Sequence, residues 1–184
     1  KSTLYGYQTN VTEAELLAKI EEINDDTEVD GLLVQLPLPK HIATTKVIET
    51  IAPEKDVDGF HPINLGRMQS NLPTYIPATP YGILLMLDAY QINTVGKHCV
   101  VIGRSNIVGS PMSVLMARNA NHGNCTVTIC HSKTPDIKKF SLDADILVVA
   151  IGKKHFITAD MVKEGAIVID VGMNREISTE TKSG

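Results

Sequence analysis

The sequence has no large excess of charge, no long apolar run and few cysteines. Its 184 residues carry 17 Lys and Arg against 21 Asp and Glu, a net charge of -4, and the basic residues are scattered. A basic stripe that could follow a phosphate backbone is missing, which disfavours nucleic acid as a partner. No apolar run approaches the ~20 residues that cross a bilayer, and the first ten residues lack the apolar core of a signal peptide. We therefore expect a soluble chain with neither nucleic acid nor a membrane as its partner.

The cysteines also argue against a disulfide framework or a zinc site. There are three, all in apolar, strand-like runs and without the paired short spacings of zinc ligands. A bond between Cys125 and Cys130 is disfavoured because an odd offset on one strand sends the two side chains to opposite faces. We interpret them as buried thiols in a reducing compartment, the cytoplasm, and expect no metal.

The first half offers more helix than sheet. "TEAELLAKIEEIN" predicts a helix over Thr12–Asn24, with Thr12 as N-cap and Glu15 completing a capping box. "DGLLVQLPLP" predicts a short buried strand, Gly31–Gln35, that ends in an extended proline loop. A second helix is predicted over Thr44–Ile51, followed by the loop "PEKDVDGFHPINLGRM". Two helices and one clear strand are too little for an independent α/β core.

The second half has the pattern of a parallel sheet. An apolar helix over Tyr81–Tyr90, just after Pro80, is predicted to connect the halves. "KHCVVIG", "CTVTIC", "ADILVVAIG" and "AIVIDVG" predict four strands, with a helix in "SPMSVLMARNA" between the first two. Continuous apolarity is typical of parallel strands buried on both faces. The predicted fold class is α/β: a partial N-terminal α/β domain over 1–78, a connector over 79–95, and a doubly wound, Rossmann-like domain over 96–184.

The stretch "VVIGRSNIVGSPMS" joins the first of these strands to the helix. Such a turn points backbone N–H groups and the positive helix end at a phosphate. The spacing departs from the dinucleotide pattern G-x-G-x-x-G, because Gly103 and Gly109 enclose five residues and Ser105 stands where a second glycine would. Two interpretations stay open: a site for the phosphates of a dinucleotide, and a plain strand-to-helix turn.

The end of the next strand favours NADP over NAD. NAD enzymes place an acid roughly 20 residues after the glycine turn to bind the ribose. Here Asp and Glu are absent between Gly103 and Asp136. Cationic and hydroxyl groups that suit a 2′-phosphate are offered instead by Arg104, His131, Ser132, Lys133 and Thr134. His131 fits equally well as a solvated loop residue.

Two later strands end in glycine. Gly152 and Gly172 are placed at the carboxyl edge of the sheet, where ligands bind in open α/β folds. A glycine there permits close approach of a cofactor ring, and either one alone is explained as well by an ordinary turn.

The first half contains a few isolated polar candidates. Gln35 closes the predicted strand, so its amide either caps a loop or faces a cleft. Asp56 and Asp58 are either solvated acids or include a carboxylate that hydrogen-bonds an N–H-rich heterocycle. His41 and His61 have no acid or hydroxyl at a triad-like spacing, and we interpret both as structural.

Together, these motifs resemble one known family. "DGLLVQLPLP", "PEKDVDGFHPINLGRM", "PATPYGILLML", "VVIGRSNIVGSPMS", "TICHSKT" and "GAIVIDVGMNR" are similar, in order, to the bifunctional methylenetetrahydrofolate dehydrogenase/methenyltetrahydrofolate cyclohydrolase family, from about residue 12 to 175. The resemblance implies a folate-binding first domain, an NADP-binding second domain and an active site in the cleft between them. It also implies a homodimer that oxidises 5,10-methylenetetrahydrofolate and hydrolyses the product, in one-carbon metabolism and purine biosynthesis.

The resemblance also assigns residues. On the folate side it makes Gln35 the partner of the catalytic lysine, flanked by Val34 and Leu36 in the substrate site, and Asp58 the carboxylate that grips the pterin. On the cofactor side, Met173 is implied to meet the nicotinamide end through its backbone. The full set of predicted cofactor residues is Gly103, Arg104, Ser105, Gly109, His131, Ser132, Gly152, Gly172 and Met173.

The sequence departs from the family in two motifs. The family's Y-x-x-x-K pair is not found, since Tyr7 is followed by Val11 four positions on, and the "PGGVGP" loop is missing too. We therefore expect these 184 residues to be a fragment that at most binds NADP, with little or no turnover. The alternatives are a shikimate-type NADP dehydrogenase, which usually keeps G-x-G-x-x-G, and a non-catalytic nucleotide-binding module.

Overall fold

The computed structural model describes residues 2–173. Contacts divide the chain into two units, Lys1–Ile76 and Pro77–Gly184. This division groups the predicted connector helix with the second unit. The domain limits at residues 78 and 95 remain our proposal.

The first unit is built on helices α1 (Glu13–Asp25), α2 (Thr44–Thr50) and α3 (Pro62–Gln69). The capping box of α1 forms as predicted: Glu15 N–H donates to Thr12 Oγ1 (3.2 Å), and Thr12 N–H donates to Glu15 Oε2 (2.9 Å). The second predicted helix is also confirmed, ending one residue early. The buried core of this unit joins the apolar faces of α1 and α2 and consists of Leu16, Ile20, Ile42, Val47 and Ile51.

Two predictions for the first unit are wrong. Gly31–Gln35 is not a buried strand, because a single bridge joins Leu32 to Asp56 and Leu33 is 54% exposed. A strand requires a neighbouring strand that pairs with it over several residues. In the described part of this unit, the segment pairs at one position, Leu32. The predicted loop after Pro53 contains α3, which begins with a proline, the residue favoured at a first helical position.

Within residues 77–173, the second unit contains a four-stranded parallel sheet with helices. All four predicted strands are confirmed, in the spatial order β2-β1-β3-β4. Their bounds are β1 His98–Ile102, β2 Thr126–Cys130, β3 Ile146–Val149 and β4 Ile167–Asp170. The other elements are α4 Ala78–Ala89, α5 Gly109–Ala117, α6 Ile137–Ser141 and a 3-10 turn, Ala159–Met161. None of the helices within residues 2–173 is long and apolar enough to span a bilayer.

The helix α4 starts earlier than the sequence predicts. Pro80 lies in its first turn, where the missing N–H would have no helical partner, so the proline does not delay the helix. All three cysteines are free and buried, as predicted. Burial raises the pKa of the Cys99 thiol to about 12.

The strand order places a switch point at the centre of the sheet. The chain passes from β1 to β2 on one side and then to β3 on the other, so β1 and β3 flank the position where ligands bind in such folds. Burial on both faces holds for these two central strands. It does not hold for the edge strands, where Ile129 is 41% and Val168 46% exposed.

Candidate functional site

The glycine turn brings the end of β1 against the start of α5. Gly103 has φ +121, and a Cβ there would lie 2.5 Å from Ala150 O, on the loop after β3. A Cβ on Gly109 would lie 2.2 Å from Gly103 O. Both positions therefore require glycine, and together they set the first residue of α5 directly over the switch point.

Ser105 holds this turn in shape. Its Oγ accepts from the N–H groups of Val108 (3.2 Å) and Gly109 (3.4 Å), and its carbonyl accepts from Ser110 N–H (3.0 Å). Because the hydroxyl acts as acceptor in both side-chain bonds, its own proton is not used in them. Ser105 can thus order the turn and still donate to an anion.

The outer part of the turn presents donors. Arg104, Asn106 and Ile107 are exposed, and within residues 2–173 their backbone N–H groups have no hydrogen-bond partner. Arg104 is anchored through its carbonyl, which accepts from Ser110 Oγ (3.2 Å). Free N–H groups, a guanidinium and the positive end of the nine-residue α5 make this turn suited to an anion.

A second turn follows β2 beside the first. Gly103 N–H donates to Cys130 O (2.8 Å), which joins the two strand ends. His131 closes the second turn: its N–H donates to Thr134 Oγ1 (2.9 Å), and its Nδ1 accepts from Lys133 N–H (3.2 Å). These bonds give the ring a structural role, so its contact with a cofactor stays a prediction. Ser132 and Lys133 are exposed at the tip.

The loops after β3 and β4 are packed together. A Cβ on Gly172 would lie 2.2 Å from Ile151 O, and a Cβ on Gly152 would lie 3.1 Å from Met173 O. Met173 itself is 85% exposed. The close approach of these backbones is a sufficient reason for Gly172, and it places both glycines at the carboxyl edge.

Eight of the nine predicted cofactor residues therefore lie in the loops at the carboxyl ends of the four strands, and the ninth, Gly109, is the first residue of α5 at the same edge. The two turns on the β1 and β2 side contain N–H, hydroxyl and cationic groups and no carboxylate. That donor set fits the phosphates of a dinucleotide. Among the described residues, no group of three or more His, Cys, Asp or Glu side chains is arranged to hold a metal ion.

The predicted folate residues lie in the first unit, around an apolar pocket. Three of the four line it, and Gln35 does not. Gln35 is exposed, and its Nε2 donates to Leu36 O (2.9 Å). This bond agrees with the interpretation in which the Gln35 amide caps the loop. The pocket is lined by Leu32, Val34, Leu36, Val47, Ile48, Ile51, Asp56, Asp58 and Phe60.

The two aspartates in this pocket have different surroundings. Asp56 is 2% exposed, and its Oδ2 accepts from His61 N–H (2.7 Å) and Asn64 Nδ2 (2.9 Å), so it is structural. Asp58 is partly buried, and burial, followed by the nearby charge of Asp56, raises its pKa. Asp58 is thus the carboxyl of the two that is left to meet a ligand.

Two residues that brace this loop, Lys55 and Asn24, have no signal in the sequence. Lys55 Nζ donates to three carbonyls at the end of α1, those of Ile23 (2.9 Å), Asn24 (2.8 Å) and Asp26 (2.6 Å). Asn24 Oδ1 accepts from Ala52 N–H (2.9 Å). Partners about 30 residues apart have no local pattern, so sequence reasoning does not find these two residues.

The hydrogen bonds of His41 and His61 agree with the structural role predicted for them. His41 Nε2 lies 2.8 Å from Val11 O, and His61 Nδ1 accepts from Ile63 N–H.

Family models match both parts of the chain. Residues 77–184 match the NAD(P)-binding domain of tetrahydrofolate dehydrogenase/cyclohydrolase, and residues 1–58 match the catalytic domain. These matches do not favour a shikimate-type dehydrogenase.

Individual relatives agree. A protein named bifunctional protein FolD, from Cytophaga hutchinsonii, is 64% identical over 184 residues, which are 100% of this chain and 63% of that protein. The bifunctional enzyme FolD of Campylobacter jejuni has a crystal structure with TM-score 0.86 and 47% identity, covering 96% of this chain and 60% of that one. The Trypanosoma brucei enzyme, solved with NADP cofactor and inhibitor, has TM-score 0.87 and 33% identity over 96% of this chain and 59% of that one. The chain spans about 63% of the length of the curated relatives it matches, and it belongs to the tetrahydrofolate dehydrogenase/cyclohydrolase family.

Proposed function

We propose that this chain holds the NADP site and part of the folate site of a bifunctional enzyme of one-carbon metabolism. The whole enzyme would oxidise 5,10-methylenetetrahydrofolate to the 5,10-methenyl form and hydrolyse that to 10-formyltetrahydrofolate. The family match supports this reaction pair, and the two named domains of the family correspond to the two units.

The glycine turn carries the NADP part of the proposal. When bound, NADP supplies the hydride acceptor at its nicotinamide ring. Gly103 and Gly109 let the backbone approach the phosphates, and Arg104 with Ser105 would donate to them. Gly152, Gly172 and the Met173 backbone would line the nicotinamide end.

The turn after β2 supports NADP rather than NAD. Ser132 is exposed there, and neither this turn nor the glycine turn contains an acid that would bind the free ribose 2′-hydroxyl and repel a phosphate. Arg104, His131 and Ser132 would surround the 2′-phosphate. The Trypanosoma brucei relative, whose structure holds NADP, adds support.

The pocket of the first unit would hold the pterin. Val34 and Leu36 offer apolar contact, and Asp58 offers a partly buried carboxyl that can hydrogen-bond adjacent ring N and N–H groups. Gln35 would position the lysine of the family's Y-x-x-x-K motif. Since these 184 residues lack that lysine, we propose that hydrolysis requires the whole protein and that this chain alone turns over little substrate.

The setting of the enzyme is also a proposal. By resemblance to the family we infer a homodimer in the cytoplasm that supplies one-carbon units for purine biosynthesis. Light scattering on the whole protein would show whether it is a dimer.

Calorimetric titration with NADP and then NAD tests the cofactor assignment. We expect NADP to bind at least about tenfold more tightly, a difference of about 1.4 kcal/mol, and Arg104→Ala or Ser132→Ala to remove that preference. Lys97→Ala is the control, because Lys97 lies before β1 at the opposite edge of the sheet. Equal affinity for the two cofactors, in a sample that melts cooperatively, would contradict the assignment.

A further inference from the structure

A cluster of three polar side chains lies at the amino-terminal side of the sheet, away from the proposed cofactor loops. His98 is the first residue of β1, Thr128 lies in β2, and Asp143 precedes β3. His98 Nε2 lies 2.9 Å from Thr128 Oγ1, and His98 Nδ1 lies 3.1 Å from Asp143 Oδ2 and 3.1 Å from Asp143 O. A hydroxyl, an imidazole and a carboxylate are thus connected in that order.

The partners of the ring define its protons. Nδ1 faces only acceptors of Asp143, a carbonyl and a carboxylate oxygen, so it carries a hydrogen and donates. In the neutral ring Nε2 is then unprotonated, and the Thr128 hydroxyl donates to it. This is the tautomer that a general base needs in order to take a proton from a hydroxyl.

Backbone contacts hold the base in place. His98 N–H donates to Asp145 Oδ2 (3.0 Å), and Asp145 Oδ1 accepts from Lys163 Nζ (2.7 Å). The His98 side chain is 22% exposed, whereas Asp143 is 80% exposed. His98 is therefore anchored at its backbone and at both ring nitrogens, and it remains partly exposed.

The cluster opens into a pocket that has room for a reactant. Apolar side chains, Phe140 and Leu142, form part of its wall, and Lys139 adds a cation. A nucleophile within hydrogen-bond reach of a base, and a base oriented by a third group, is the arrangement of nucleophilic catalysis. Its full lining is His98, Thr128, Lys139, Phe140, Leu142 and Asp143.

We propose that Thr128 is a nucleophile for small activated acyl donors such as aryl esters, with His98 as its general base, Asp143 orienting the ring and Lys139 available to the developing oxyanion. Thr128 Oγ1 forms a bond to the acyl carbon while its proton passes to His98 Nε2. The bond from that carbon to the aryl oxygen breaks, and the phenol or phenolate leaves. Water then attacks the acyl-threonine, giving a carboxylic acid and the restored hydroxyl.

Incubation of the 184-residue chain with p-nitrophenyl acetate tests this activity. We expect an added acetyl group on Thr128 by peptide mass spectrometry and a matching release of nitrophenolate. Thr128→Val keeps the shape and removes the hydroxyl, and His98→Gln removes the base. Thr128→Val should abolish acetylation at this position, and His98→Gln should lower its rate by about 100-fold, whereas Thr128→Ser should retain it.

The matched control is His122→Asn. His122 also pairs with an aspartate, its Nε2 lying 3.0 Å from Asp88 Oδ1, but its recorded pair contains no hydroxyl, and asparagine tolerates its φ of +58. This variant should leave acetylation of Thr128 unchanged. Acetyl groups on lysines alone in the unmutated chain would overturn the proposal whether or not the variants fold. So would release of nitrophenolate that Thr128→Val does not change in a sample with an unaltered circular dichroism spectrum.

Discussion

At the scale of single residues, Asp56 and Asp58 show how two acids only two positions apart take different roles. Asp56 points into the protein and accepts from His61 N–H and Asn64 Nδ2. Asn64 Oδ1 in turn accepts from Thr74 Oγ1 (2.7 Å), so Asp56 ties α3 and the segment after it to the loop. Within residues 2–173 the Asp58 carboxyl has no such hydrogen bonds. Burial, followed by the charge of Asp56, raises its pKa.

This difference predicts unequal costs for the same substitution. In Asp56→Asn the amide oxygen can still accept from both donors, but a neutral amide is a weaker acceptor than a carboxylate, so we expect the free energy of unfolding to fall by about 2 kcal/mol. Asp58→Asn should change it little at pH 7. A raised pKa means that ionisation of Asp58 opposes folding as pH rises above its ordinary value of 3.8, and asparagine removes that opposition. Urea unfolding midpoints, compared at an unchanged m-value, measure the stability of both variants. An equal loss of stability in the two would refute the different roles assigned to Asp56 and Asp58.

The same pair shows the limit of sequence reasoning at a site. Alternation in "KDVDGF" leaves both acids as candidates, because a sequence does not show which side chain faces the donors of α3. On the cofactor side, strand, glycine turn and helix are contiguous, so the sequence predicts these elements, while their contacts with NADP stay a proposal. There, however, the recorded hydrogen bonds of His131 are local to its own turn.

At the scale of elements, those with local signals were predicted well. The capping box at Thr12 and the four apolar runs each lie within one short stretch, and the structure has a helix and four strands there. The predicted strand Gly31–Gln35 failed because strand formation depends on a neighbour that a local pattern cannot supply. The helix α3 was overlooked because the residues around Pro62 look like a loop, although a proline at the first helical position is itself a start signal.

The junction between β1 and α5 gives a prediction for an element. In Gly109→Ala the new methyl would lie 2.2 Å from Gly103 O and 2.9 Å from Arg104 N, so α5 must move away from the strand. We expect a loss of about 1 to 3 kcal/mol in unfolding free energy, the usual cost of overpacking, together with weaker NADP binding.

A second helical glycine provides the control. A Cβ on Gly82, in α4, would meet nothing within 4 Å. Gly82→Ala should therefore stabilise the chain by about 0.5 to 1 kcal/mol, because alanine is the better helix former. Thermal melts compare the two variants, and a Gly109→Ala protein as stable as Gly82→Ala would show that close packing at this turn is unimportant.

At the scale of the whole molecule, each of the chain's two units has a buried cluster of its own among the described residues. The cluster of the first unit joins α1 and α2, and a cluster of the second unit lies on its sheet. The proposed NADP residues all belong to the second unit, and the proposed pterin residues all belong to the first. The proposal therefore assigns the binding of each ligand to residues of one unit, and the intact chain allows the two assignments to be tested separately.

Hydrogen exchange with and without NADP would separate the two. A ligand that binds only the folded form, at 100 times its Kd, stabilises that form by about 2.7 kcal/mol. We expect this stabilisation to slow exchange at the amides of β1 and β3, whose opening requires unfolding of the second unit, and at the exposed amides of Arg104, Asn106 and Ile107 through direct contact. Amides of α1 should exchange at the same rate with or without NADP, because no proposed contact lies in the first unit. Equal slowing in α1 and β1 would mean that the two units unfold together. Slowing in α1 alone would mean that NADP binds the first unit, which would contradict the proposed site.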